Sequence, residues 1–355
     1  MTAWTWIVPL AGITTLGAAI ALGTSTLIAV LATLGLVGSV FAAVHHAEVV
    51  AHRVGEPFGT LVLALAVTVI EASLILSMVI AGGESQAAVP RDTLYAALMI
   101  ICNGVVGVCL LVGGWHHREQ SFRVEGANSG LAALIPMAAL TLVLPTFTTT
   151  TRSGTYSESQ LLFAAIASLS LWAVFVFVQT VRHRDYFLPA VNTDDPDVHA
   201  APPSNARAWA SFGLLMVALV AVVGLAKVLS PSIEQGIAAA GAPKAVIGIA
   251  IAIIVLLPET WAAVRAARAD RLQTSMNLAI GSALASIGLT IPVVAIAAVV
   301  LDIPLVLGLE PKDIAMLALT FLVSAITLAT GRTHLMQGAV HLVIFAAFLF
   351  LALVP

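Results

Sequence analysis

Residues 57–81 read PFGTLVLALAVTVIEASLILSMVIA, and the fold class follows from this stretch. About 20 apolar residues, at 1.5 Å rise each, cross the hydrocarbon core of a bilayer as a helix, and this run is long enough. One carboxylate, Glu71, stands well inside it. An acidic side chain near the bilayer centre costs about 2.5–3.5 kcal/mol on insertion scales, so Glu71 is read as a proton or cation site facing the protein interior. The plainer alternative is a protonated, hydrogen-bonded glutamate that packs helices together.

The rest of the chain has the same character. Hydrophobic residues make up 60% and charged residues only 9%, against ~25% charged in a soluble domain. A polytopic, all-α membrane protein is expected. No Lys or Arg precedes Arg53, so the first apolar run lacks the basic start of a secretory signal and is read as a retained helix. Cys102 and Cys109 share one apolar run, about 10 Å apart along a helix, too far to pair, and are expected to be small packing residues. Nothing clusters like a nucleic-acid footprint. The expected partners are inorganic cations and the lipid bilayer, and the oligomeric state stays open.

Apolar runs of membrane length place helices near 5–22, 25–44, 57–81, 93–114, 127–147, 160–181, 208–229, 244–266, 274–301, 311–330 and 335–354. The long connection, 182–207, is rich in Asp, Pro and Asn and reads as a linker between two halves. Arg53, Arg118, Arg123, Arg182, Arg184, Arg207, Arg265, Arg268, Arg271 and Arg332 fall on the side of the N-terminus and even-numbered loops. Arg91, Arg152, Lys227, Lys244 and Lys312 fall on the other. Basic loops are retained inside, so a cytoplasmic N-terminus and an external C-terminus are expected.

Setting the first helix aside leaves five helices on each side of the linker, and an odd number inverts the second half relative to the first. The expected organisation is an extra N-terminal helix in 1–24, a five-helix repeat in 25–181 with Glu71, a cytoplasmic linker in 182–207 and a second repeat in 208–355 with Glu259. The halves echo each other: Gly55-Glu56-Pro57 opens the helix of Glu71, and Gly241-Ala242-Pro243 opens that of Glu259. Two carboxylates deep in apolar runs at symmetry-related positions are the candidate transport and metal site.

Oxygen-bearing side chains surround both: Thr68 and Ser73 beside Glu71, Asn103 in the next helix, and Ser282, Ser286 and Thr290 in the helix after Glu259. Pro258 precedes Glu259 and disturbs its helix, freeing carbonyls upstream. Hard cations such as Ca²⁺ take six to eight oxygens, some anionic. Without a cation, burial favours the protonated carboxyls, and a bound cation favours the ionised ones, so ion and proton compete for one site. Packing and back-bonding are the alternatives for Thr68, Ser73 and Thr290. His45, His46, Glu48 and His52 form a polar cluster at the end of the second helix, read as interfacial solvation with pH sensing as the alternative. Arg265, Arg268, Asp270 and Arg271 are read as lipid-headgroup or topology residues, Asp194, Asp195 and Asp197 as solvated linker, and His341 as a buried polar contact. No HExxH, Walker A or GxSxG pattern occurs.

The stretches HHAEVVAHRVGEPFGTLVLALAVTVIEASLI, REQSFRVEGANSGLAALIPMAALTLVLPTFT and LPETWAAVRAARADRLQTSMNLAIGSALASIGLTIP resemble the bacterial calcium/proton antiporters of the ChaA type, in the cation/Ca²⁺ exchanger superfamily. The resemblance implies an eleven-helix exchanger in which Glu71 and Glu259 are the central ion-binding glutamates, Asn103 is the asparagine of the following helix, and Gly281-Ser282 is the Gly-Ser pair after the second glutamate. The chain departs from the proton-coupled branch at Val67-Thr68 and Val255-Leu256, where that branch carries Gly-Asn, and at Leu98-Met99, where it carries Gly-Ser.

The expected function is secondary antiport, Ca²⁺ exported against H⁺ by alternating access without a cofactor. A monovalent Na⁺ or K⁺/H⁺ antiporter with the same site is the first alternative. An intramembrane enzyme would need a nucleophile–base pair or metal triad at depth, a channel would need a continuous polar pathway, and a scaffold would need neither glutamate.

Overall fold

The computed structural model describes residues 3–23, 25–55, 58–188, 203–239, 241, 243 and 245–354. Glu56, Pro57, Asp194, Asp195, Asp197, Ala242 and Lys244 lie outside the described residues. Among the described residues eleven helices follow one another: α1 (Ala3–Leu22), α2 (Thr26–Val54), α3 (Phe58–Gly82), α4 (Val89–His117), α5 (Val124–Thr146), α6 (Glu158–Arg182), α7 (Asn205–Ala239), α8 (Ala245–Arg268), α9 (Leu272–Leu301), α10 (Pro311–Ala329) and α11 (Leu335–Leu353). Ten are long and apolar enough to cross a bilayer by themselves, and α8 qualifies when its arms Ala245–Leu257 and Glu259–Arg268 are joined across a 54° bend. The chain is an all-α multi-pass membrane protein. Its helices expose large apolar side chains such as Leu34, Phe163, Ile166, Leu322 and Val343. Each would lose about 1.5–3 kcal/mol of burial if it faced water, and a hydrocarbon surrounding removes that loss.

Two helices run farther than their apolar stretches. α2 continues past Val44 to Val54 because its polar residues find partners inside the fold, and Gly55, at φ 78°, ends it with its N–H on the Ala51 carbonyl. α7 continues past Leu229 to Ala239 through Pro231.

The helices form two compact units that cut across the order of the chain. The first gathers α1, α2, α3 and α7, with α2 packed against the other three. A methyl group on Gly12 would strike Ser39, and one on Gly224 would strike Leu16, so small residues set the close helix spacing here.

The second unit gathers α4, α5, α6, α8 from Gly248 onward, α9, α10 and α11. Its connections meet in two groups, as alternating membrane spans require. In one group β1 (Glu119–Ser121) pairs antiparallel with β2 (Arg332–His334), and Gln120 donates to the Ala267 carbonyl at 2.9 Å and to Asp270 at 2.8 Å. In the other, the amides of Leu307 and Gly308 both reach the Gly154 carbonyl at 2.9 Å, Val306 reaches Ala87 at 2.9 Å, and Arg91 donates to Gly308 at 3.2 Å. Three helices of this unit contain π turns, Ile100–Val105 in α4, Ala139–Val143 in α5 and Val178–Arg182 in α6. A π turn holds one extra residue and frees backbone groups that need partners. Tyr156, between α5 and α6, donates to Leu140 at 2.7 Å, and the Leu309 amide reaches Leu142 at 2.8 Å. Burial pushes the Tyr156 phenol above its ordinary value, so it stays a donor.

Candidate functional site

In the first unit, Glu71 lies on the unbroken helix α3 and is 3% exposed. Thr68, one turn earlier, shares its face and is buried too. Ser73, two residues on, falls on another side of the helix and is half-buried. Of the two hydroxyls expected beside Glu71, Thr68 shares its buried face and Ser73 does not.

In the second unit, Glu259 stands immediately after the bend of α8 and is half-buried. The Ser282 hydroxyl on α9 donates to its Oε2. A hydrogen bond to a carboxylate is about twice as strong as a neutral one, so this contact fixes the acid's direction. The two groups line a cavity of about 10 Å³ with Thr260, Ile101, Val105, Leu256, Leu278 and Ala279. The Thr260 hydroxyl donates back to Leu256 at 2.7 Å, which leaves its oxygen lone pairs available. Ser286 and Thr290 follow Ser282 at steps of four residues on α9, 4% and 0% exposed. Nothing would meet a methyl group on Gly281 within 4 Å, so this glycine borders open space rather than a packed helix.

Asn103 sits inside the π turn of α4, fully buried, and its amide is engaged away from Glu259. Nδ2 donates to Thr320 at 2.9 Å, and Oδ1 lies 3.2 Å from His341 Nδ1. His341 is thus the buried polar contact expected from its place in the last apolar run, and its Nε2 lies 3.1 Å from Thr327. Neither Thr320 nor Thr327 was expected. Threonine is unremarkable in a membrane helix, and Asn103 and Thr320 are 217 residues apart, so only the fold joins them.

The expectation of a solvated histidine cluster fails for His46. It is 0% exposed, and its Nε2 donates to the Thr5 carbonyl of α1 at 2.8 Å. His45 stacks at a tilt on Trp4, with ring centroids 5.2 Å apart. These contacts join α1 to α2 and explain why α2 runs on past its apolar stretch. His52 lies in the last turn of α2 and is exposed.

Deep carboxylates beside hydroxyls, one after a bent span, are what an ion-exchange site needs, and comparison with known proteins is consistent with that chemistry. The sodium/calcium exchanger protein family matches residues 24–181 and 210–354. This chain belongs to that family. It is 48% identical to a Sinorhizobium fredii protein named as an ionic transporter, y4hA, over 99% of this chain and 96% of the relative. It is 36% identical to the sodium-potassium/proton antiporter ChaA of Escherichia coli, over 90% and 87% of the two chains. The solved structure of native YfkE shares the fold, with a TM-score of 0.74 over 99% of this chain and all of that one at 16% identity. The chain is accordingly a membrane cation transporter of the exchanger fold and not an enzyme.

Proposed function

We propose that this exchanger is a cation/proton antiporter of the ChaA type in which Glu71 and Glu259 hold cation and proton in turn. The observation that carries the reading is the pairing of Glu259 with Ser282 at the bend of a membrane helix. A carboxylate there presents an anionic oxygen, an aligned hydroxyl and, at the break, backbone carbonyls. A cation binding these oxygens displaces a proton, and a proton displaces the cation. Movement of the two glutamate-bearing helix pairs against the remaining helices would expose the site to each side in turn. Residues 25–181 and 208–355 act as inverted repeats, with the N-terminus in the cytoplasm of a bacterium and the protein in its inner membrane.

Na⁺ and K⁺ are the favoured cargo. Around Glu259 the side-chain oxygens on the cavity wall are those of Glu259, Ser282 and Thr260, and the remaining lining is apolar. Ca²⁺ demands six to eight oxygens, whereas a monovalent ion keeps more of its water and needs fewer. The relative at 36% identity is named for sodium and potassium. Ca²⁺ is the second reading, favoured by the presence of two deep carboxylates, whose joint charge matches a divalent ion. The test is proton movement in everted vesicles holding a pH gradient, followed by a fluorescent dye. Collapse of the gradient by millimolar Na⁺ or K⁺ supports the first reading, and collapse by micromolar Ca²⁺ alone replaces it with the second. No response to any of the three cations ends the antiport proposal.

A further inference from the structure

A chain of hydrogen bonds across α4, α10 and α11 has a determined direction. Thr320 Oγ1 donates to the Met316 carbonyl at 2.8 Å, so it accepts from Asn103 Nδ2 at 2.9 Å. This fixes which end of the amide is which. Oδ1 therefore faces His341, and His341 Nδ1–H is the donor across 3.2 Å. In the neutral ring Nε2 is then the acceptor and takes the Thr327 hydroxyl at 3.1 Å. Asn103 and His341 are both 0% exposed, so each bond satisfies a group whose burial would otherwise be costly.

Close packing alone does not hold this ring. A cavity of about 20 Å³ lies beside it, lined by Cys102, Ser324, Thr327 and apolar neighbours. The hydrogen bonds fix its orientation, and the glycine seam between α4 and α11 brings it within reach. A methyl group on Gly338 would lie 2.5 Å from the Leu111 amide nitrogen and 2.9 Å from the Gly107 carbonyl oxygen, so the two backbones touch.

Asn103 lies in the π turn of α4, and the residues two before and two after it, Ile101 and Val105, face the other way, into the cavity of Glu259 and Ser282. We propose that His341 is a positioning residue for transport: by holding Asn103 it fixes the π turn that carries Ile101 and Val105 against Glu259. The inference rests on the reading of Glu259 as the ion site.

Two substitutions separate the ring's contact with Asn103 from its contact with Thr327. The amide of His341→Asn falls near the Nδ1 position and keeps the donor to Asn103. The amide of His341→Gln falls near Nε2 and keeps only the contact with Thr327. Apparent KM and maximal rate for cation-driven proton movement would be measured in everted vesicles, beside the amount and thermal stability of each variant. H341Q should raise the apparent KM about three- to tenfold, the worth of one neutral hydrogen bond, and H341N should stay near wild type. Equal KM values in H341N and H341Q, whether both wild-type or both raised in step with lost stability, would overturn the positioning role. Glu259→Gln is run in parallel. Exchange that survives it removes the reading of the ion site, and this inference with it, while its loss beside a wild-type KM in H341Q removes the positioning role alone.

Discussion

Glu71 and Glu259 occupy echoing places in the sequence and quite different surroundings in the fold. Glu71 stands on a continuous helix at 3% exposure, close in sequence to the fully buried Ile70 and Ile75. Glu259 follows a 54° bend, is half-buried, receives the Ser282 hydroxyl and borders a cavity. Symmetry in the order of residues has not produced symmetry in solvation. An acid as enclosed as Glu71 is costly to ionise unless its surroundings compensate the charge. One with a hydroxyl donor and adjoining space can keep its charge at lower cost.

This contrast can be broken at its base by neutralising each acid. Glu71→Gln and Glu259→Gln should each lower cation-driven proton movement by about 100-fold or more, the scale on which loss of a buried charge acts, with the protein still present in the membrane. Robust flux in either variant would remove that glutamate from the site. A sharper comparison comes from Ser282→Ala, which removes the hydroxyl donor from Glu259. A bond to a charged group is worth about 1.5–3 kcal/mol, so the apparent cation affinity should fall about 10- to 150-fold. An unchanged affinity would mean that the hydroxyl serves packing alone. The smallest effects are expected around Glu71. Thr68→Ala should change affinity about two- to threefold, as removal of a weak local contact does, and Ser73→Ala should change nothing measurable. A larger loss in Ser73→Ala than in Thr68→Ala, measured as apparent KM, would reverse the assignment of the glutamate's face.

The eleven helices were legible because each apolar run had to be about as long as the membrane is thick. The grouping of connections followed from counting them. Glu259 was legible because an acid in an apolar run has few explanations, whereas its partner Ser282 was one of three hydroxyls, with Ser286 and Thr290, that the following helix offered. Other features left little trace in the residues. IICNGV carries no mark of a π turn, since the extra residue is stabilised by partners far along the chain, such as Thr320 and His341 around Asn103. The polar end of α2 read as interface because His46 is polar, and only the Thr5 carbonyl of α1 explains its burial. Linear order could not foretell that α7 packs with the first three helices, because tertiary contact, not sequence distance, defines a compact unit.

The interleaving of the two units also shapes how the protein is made. The ion pair beside the β1–β2 ribbon joins Glu119 to Arg332, 213 residues later. At about 5–20 residues per second of synthesis, β1 waits on the order of 10–40 s for its partner strand. Helices α1 to α3 likewise enter the bilayer before α7 exists to pack with them. Newly made helices must therefore wait, partly unpaired, in the lipid. A nascent chain halted after α9 would hold every residue of the Glu259 cavity and still lack the last hairpin that carries β2 and His341.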